Sequence, residues 1–258
     1  MKSRTIVFIH GMYMTPLCWE YWVAYFEGKG YTCFAPAWPG RDQPIDKLRK
    51  NHPDPQLGKL TLSAVVDSIA GNIEKLAEKP ILIGHSMGGL VVQLLLQRDL
   101  AAAGVAIDSA PPAGVFTVSW PFLKSNWPHI NPFTSQDMPI QMTFERFQYT
   151  FVNTMALAEQ QAAFERYVVP ESRRVPLQSL TARIDFAMQH PPLLLVAGSA
   201  DHLIPASLNK INFGRYLHPS ASLTDFKEFP GRAHFIVGQA GWEEVAGYTL
   251  AWLNDQSV

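Results

Sequence analysis

The chain has 258 residues, 47% of them apolar and 17% charged, and its 22 acidic and 21 basic side chains leave a net charge of −1. That balance gives no basic footprint for nucleic acid or anionic lipid, and the apolar content suffices for one sizeable core, so a single α/β unit carrying an elaboration is expected. No stretch approaches the roughly 18 apolar residues needed to span a bilayer. The apolar run Thr5–Ile9 is too short for a signal peptide, and two cysteines, Cys18 and Cys33, exclude a disulfide framework, so a reducing, cytoplasmic compartment is expected.

Short apolar runs bounded by Gly, Pro or Asp alternate with longer helical patterns, which predicts a mostly parallel sheet of about six strands with helices on both faces. In chain order the pattern places a strand at Thr5–Ile9, a helix near Cys18–Glu27, a strand at Thr32–Ala35 and a helix at Leu62–Ala77. A strand at Ile81–Ile83, a helix at Gly88–Leu100 and a strand at Val105–Ile107 follow. Because Gly88–Leu100 is apolar nearly all round, it is expected to be buried on more than one side. The rhythm then stops for about seventy residues, Phe116–Asp185, and resumes with strands at Leu193–Val196 and Leu223–Phe226 and helices at Ala206–Tyr216 and Trp242–Leu253. The interruption opens with Pro121, Pro128, Pro132 and Pro139 and reads helical from about Met142 to Tyr167. It holds eleven aromatics, a richer share than the chain's 12%, so it is an insertion and not a spacer.

Gly84-His85-Ser86-Met87-Gly88 lies between the Ile81–Ile83 strand and the following helix, the context of a nucleophile elbow, in which glycines two places either side of the serine let a strained turn pass close to neighbouring backbone. A serine hydroxyl needs a base, and the base needs an orienting carboxylate. His234, just after the last strand, opens at the same sheet edge as Ser86 and is the candidate base. His10 and His85 read as structural or pocket-wall residues, and His52, His129, His190, His202 and His218 as surface or loop residues. Asp201, in the loop after Leu193–Val196, is favoured as the carboxylate over Asp108, which follows Val105–Ile107 directly. The backbone N–H groups of Met12, after His10-Gly11, and Met87, after the nucleophile, suit the negative charge that builds on a carbonyl oxygen during acyl transfer.

With Ser86, Asp201 and His234 in this order, the His-Gly pair after an early strand and the Gly-His-Ser-Met-Gly-Gly elbow, the chain resembles the α/β-hydrolase superfamily from about Thr5 to Leu253, and within it the single-domain esterases and lipases. The resemblance implies a core of residues 1–115 and 186–258 with residues 116–185 as a helical cap. It departs from the family in leaving no room before Thr5 for two antiparallel strands, and in carrying Met12-Tyr13-Met14 where one branch has a run of glycines. Ser86 stands where dehalogenases and epoxide hydrolases of this fold carry Asp, which argues against both reactions.

Tyr13 and the cap aromatics Trp120, Phe122, Trp127 and Phe147 are the candidates for lining an apolar pocket over Ser86. No zinc-site spacing and no phosphate- or dinucleotide-binding glycine motif occurs, so no cofactor is expected. The expected activity is hydrolysis of small to medium apolar esters or lactones through an acyl-enzyme. The rivals are a cofactor-free lyase or perhydrolase on the same triad and a ligand receptor that kept the pocket. The expected partner is a small-molecule ester, with neither nucleic acid nor membrane, and an exposed aromatic patch on the cap would equally serve a homodimer.

Overall fold

The computed structural model describes residues 3–217 and 222–256; His218 lies outside them. Strand β1 (Thr5–Ile9) leads through a 3₁₀ turn (Pro16–Trp19) into helix α1 (Glu20–Glu27), and β2 (Thr32–Phe34) follows. The short helices α2 (Ile45–Lys50) and α3 (Pro55–Gly58) precede α4 (Leu62–Ile73), β3 (Ile81–His85), α5 (Met87–Gln97) and β4 (Ala103–Ile107). Helices α6 (Trp120–Ile130), α7 (Phe144–Thr150), α8 (Leu157–Tyr167) and α9 (Arg174–Ser179) fill the long interval before β5 (Leu193–Gly198). Helix α10 (Ala206–Tyr216), β6 (Thr224–Phe229) and α11 (Trp242–Asp255) close the chain.

All strand pairings are parallel and the sheet order is β2-β1-β3-β4-β5-β6. The central strands β3, β4 and β5 are buried along their whole length, which is why they read as unbroken apolar runs. Helix α5, expected to be buried on several sides, keeps Leu90, Val91, Val92, Leu95 and Leu96 out of solvent. Helix α4 starts where the Thr61 hydroxyl accepts the Ala64 N–H, and it buries the stripe Leu62, Val65, Val66, Ile69 and Ile73.

The order of the strands reverses between β1 and β3, so the chain leaves these two neighbours toward opposite faces and opens a crevice at their carboxyl ends. The register Ile9↔Gly84 brings the segment after β1 alongside the segment after β3, and His10-Gly11 thereby meets His85-Ser86.

Three local expectations are corrected. The continuous helix from Met142 to Tyr167 is two helices: after α7 the chain turns out at Phe151, whose carbonyl accepts the Phe235 N–H at 2.8 Å, while Asn153 donates to the Ala200 carbonyl at 3.0 Å. Those tertiary bonds outweigh a local pattern that holds no Gly or Pro. Strand β6 runs on to Phe229 through polar Lys227 and Glu228, as a half-exposed edge strand allows. Helix α4 stops at Ile73, four residues early. Among the described residues no helix is long and apolar enough to cross a membrane.

Candidate active site

Ser86 sits at the turn from β3 into α5 with φ 59° and ψ −122°, a backbone conformation an L-residue adopts at a cost and one that persists only where the surroundings enforce it. The enforcement is steric. A Cβ at Gly84 would meet the Gly88 carbonyl oxygen at 2.2 Å and a Cβ at Gly88 would meet the Ile9 carbonyl oxygen at 2.1 Å, so both glycines let strand and helix close on the serine. The Ser86 N–H donates to the Ile107 carbonyl and the Ser86 carbonyl accepts from Ala110, which ties the turn to β4 and the loop after it.

Above this turn the chain brings three distant residues together. His234 Nε2 is 3.0 Å from Ser86 Oγ, and His234 Nδ1 is 2.6 Å from Asp201 Oδ2. The other Asp201 oxygen accepts the N–H groups of Leu203 (2.7 Å) and Ile204 (2.9 Å). That fixes Nδ1 as the protonated nitrogen and leaves Nε2 with its lone pair toward the hydroxyl. All three side chains are buried. Burial pushes the His234 imidazole down to about 3, which keeps it in the neutral form a base requires. The ring is braced on two sides: Phe151 meets it edge-on at 4.7 Å, and His85 packs at 4.7 Å while its Nε2 donates to the His234 carbonyl at 2.7 Å.

Asp108 lies near the same imidazole but in a different setting. One oxygen accepts the Gly198 N–H at 2.7 Å, and the other is buried without a partner. Burial raises its carboxyl well above the usual carboxylate range, and the neighbouring Asp201 charge pushes the same way. Burial also raises Asp201, against the pull of its two backbone donors. Two close buried carboxyls do not both ionise, and the one with three donors, Asp201, is better placed to hold the charge. Among the described residues His85, Asp108 and His234 are the one group whose metal-ligating atoms lie within 4.8 Å of one another. Both ring nitrogens of His234 are already engaged, so this donor set does not suit an ion.

Met12 follows β1 and Met87 opens α5. No acceptor among the described residues meets the Met12 N–H, and the Met87 N–H is at a helix start, where intrahelical acceptors are lacking. Tyr13, with φ 62°, is gripped at every polar atom by the segment between β4 and β5: its N–H donates to Glu171 Oε2 at 3.0 Å, its carbonyl accepts from Val169 at 2.9 Å, and its hydroxyl is 2.6 Å from His129 Nε2. Glu171 is fully buried and pairs with the equally buried Arg41 at 2.7 Å.

A cavity of about 200 Å³ opens at Ser86, with Met12, Met87, Ala110, Pro111, Leu203 and Ile204 on the sheet side. Tyr13, Phe122, Asn126, His129, Ile130, Pro176, Ser179 and Leu180 form the rest of its wall. A larger, shallower groove of about 430 Å³ between α4 and α9 contains none of the residues around Ser86.

Of the expected lining, Tyr13 and Phe122 are in the wall. Trp120 and Trp127 are not: they are 72% and 54% exposed, because α6 turns Phe122, Asn126, His129 and Ile130 inward at helical spacing and Trp120, Leu123 and Trp127 outward. Phe147 is buried away from the cavity, stacked on Phe151 at 5.3 Å and against Phe164 at 5.6 Å. His129, expected at the surface, is buried in the wall. The signal that finds it is the α6 periodicity running through Phe122 and Asn126.

Residues 6–247 match the alpha/beta hydrolase family, and the chain belongs to that family. Among solved structures it is similar to an extracellular alpha/beta-hydrolase from a Paenibacillus species that shares structural and functional homology with tobacco salicylic acid binding protein 2. The TM-score is 0.71 at 23% identity, covering 96% of this chain and 98% of that one. It is also similar to a monoacylglycerol lipase of Paleococcus ferrophilus (TM-score 0.67, 19% identity, 99% and 96% covered) and to a pyrethroid hydrolase of Sphingobium faniae (0.68, 18%, 98% and 98%). These likenesses establish the shared fold. No curated protein sequence matches the chain.

Proposed function

We propose that the chain is a serine hydrolase that cleaves carboxylic esters carrying small to medium apolar groups. The observation that carries this reading is the continuous bridge from Ser86 Oγ through the neutral His234 ring to Asp201. In the proposed reaction His234 Nε2 takes the hydroxyl proton as Ser86 Oγ attacks the ester carbonyl. The N–H groups of Met12 and Met87 receive the oxyanion, and Asp201 stabilises the imidazolium. His234 then returns the proton to the leaving alcohol, and a water activated by the same ring releases the acid. The mostly apolar 200 Å³ cavity suits an aliphatic or aryl group. Residues 116–185 act as the cap, through Phe122, Ile130, Pro176 and Leu180, and the solved relatives whose names include a lipase and a pyrethroid hydrolase are consistent with ester chemistry.

The test is hydrolysis of a chain-length series of p-nitrophenyl esters by the wild type and Ser86→Ala. Burst kinetics and turnover that disappear in Ser86→Ala are expected. Equal turnover in both proteins, or none in either, rejects the reading.

A further inference from the structure

The cavity at Ser86 is apolar over most of its wall, yet two of its lining residues form a buried polar pair: Tyr13 Oη and His129 Nε2, 2.6 Å apart. The Tyr13 backbone is held independently of this bond, by Glu171 and Val169. The direction of the bond between them decides what the pair can do.

His129 is neutral, driven down to about 3 first by burial and then by the charges of Arg146 and Arg173. A neutral imidazole carries one proton. Its Nδ1 is buried and meets no hydrogen-bond partner among the described residues. Placing the proton there would orphan a buried donor beside a bare, unprotonated Nε2, whereas a lone pair at Nδ1 leaves only a weak acceptor unmet. The proton is therefore assigned to Nε2, which donates to Tyr13 Oη. The phenol is also neutral, because burial and the nearby Glu171 charge raise it further above its ordinary range. Tyr13 Oη accepts from His129, so its own O–H is left as a donor for which the described residues supply no acceptor.

Resting on the ester-hydrolase reading, we infer that the Tyr13 hydroxyl, oriented by His129, is a specificity-determining donor that recognises a second oxygen acceptor on the substrate, an ether, ketone or further ester oxygen away from the scissile carbonyl. Tyr13 would contact that oxygen directly. His129 is a positioning residue that acts through Tyr13. Because the Tyr13 backbone is clamped on both sides and its ring meets Phe151 edge-on at 6.4 Å, the donor is fixed before the substrate arrives.

The experiment compares esters that differ by exchange of one CH₂ for oxygen: p-nitrophenyl pentanoate with p-nitrophenyl 3-methoxypropanoate on the acid side, and butyl butanoate with 2-methoxyethyl butanoate on the alcohol side. The quantity read is the ratio of kcat/KM for the ether to that for the alkyl ester, in the wild type, Tyr13→Phe, His129→Gln and His129→Leu. In at least one pair the ratio is expected to fall about five- to tenfold in Tyr13→Phe, the worth of one neutral hydrogen bond. It is expected to fall in His129→Leu and to be largely retained in His129→Gln, which keeps an N–H donor. A loss of activity that lowers both esters equally, as a merely structural defect produces, leaves the ratio unchanged and overturns the inference. So does a ratio in both pairs that is the same in Tyr13→Phe and His129→Leu as in the wild type. If the wild type hydrolyses none of the four esters, the hydrolase reading itself fails. If it hydrolyses them without any Tyr13 dependence of the ratio, only the subsite fails.

Discussion

Gly11 packs directly against Ser86: a Cβ at position 11 would stand 2.7 Å from the Ser86 Cβ and 3.3 Å from its Oγ. This closeness follows from the register of β1 beside β3, and it makes the residue before the Met12 N–H part of the wall that holds Ser86.

Gly11→Ala therefore has to displace either the serine or the loop bearing Met12. The backbone at position 85 is 2.9 Å from the same Cβ and leaves no flexible side chain to yield. A displacement of order 1 Å at the reacting groups is expected to lower kcat/KM by about 100-fold. Kinetics on a p-nitrophenyl ester, with circular dichroism to show that the fold persists, check this. Near wild-type activity would mean that the loop moves away without cost.

The two buried carboxyls near His234 are expected to differ sharply on substitution. Asp201→Asn loses the charge that steadies the imidazolium and reverses the bond that fixes the ring tautomer, so kcat should fall by about 10⁴-fold. Asp108→Asn keeps an acceptor for the Gly198 N–H and removes a group whose ionisation burial already opposes, so kcat should fall less than tenfold. Steady-state kinetics of the two variants separate the roles, and the reverse order would transfer the orienting role to Asp108.

Much of this site was legible in the sequence because its parts occupy strand ends, and strand ends are set by local pattern. The Gly84-His85-Ser86-Met87-Gly88 run, the loop holding Asp201 and the placement of His234 after the last strand each carry a signal within a few residues. The wall of the cavity was not legible. Whether an aromatic on α6 faces in or out depends on where the helix begins and on what it packs against. Trp120 and Trp127 differ from Phe122 only by that phase. The burial of His129 depends on Tyr13, 116 residues away, and the break after α7 on bonds made by Phe235 and Ala200. Helices α2 and α3 are too short to carry an apolar stripe, so no periodicity announced them.

Acid should weaken the fold well before ordinary carboxylates titrate. His10, His129 and His234 are each pushed down to about 3 by burial, and burial puts His85 well below its ordinary value. Between pH 6.5 and 5 the unfolded chain protonates these four imidazoles while the folded chain does not, so stability falls as pH falls. Asp108 acts in the opposite sense, since its raised carboxyl holds a proton in the folded state that the unfolded state gives up. Asp201 is raised by burial as well, yet the four imidazoles outnumber the two carboxyls, so unfolding takes up protons on balance. Urea midpoints measured from pH 7.5 to pH 5 should drop steadily, and midpoints that stay level would show that the imidazoles charge within the fold. Over the same range kcat/KM should hold up below pH 6.5, because His234 remains a neutral base.

The Arg41–Glu171 pair is where stability and chemistry meet. Both side chains are buried, and Glu171 also accepts the N–H of Tyr13, the residue after Met12. Glu171→Gln keeps the shape and an acceptor oxygen for Tyr13 but leaves the Arg41 guanidinium buried without a counter-charge, at an expected cost of about 3–5 kcal/mol. The same change loosens the hold on Tyr13 and, through it, on Met12, so kcat should fall while KM for a small ester changes little. Arg41→Met combined with Glu171→Gln removes both charges and should recover most of the stability. It should not recover kcat, since the neutral amide binds the Tyr13 N–H more weakly than the carboxylate does. Urea denaturation and steady-state kinetics on the two variants check both halves. A double variant that regains stability and full kcat together would show that the ion pair supports the fold without setting the oxyanion donor.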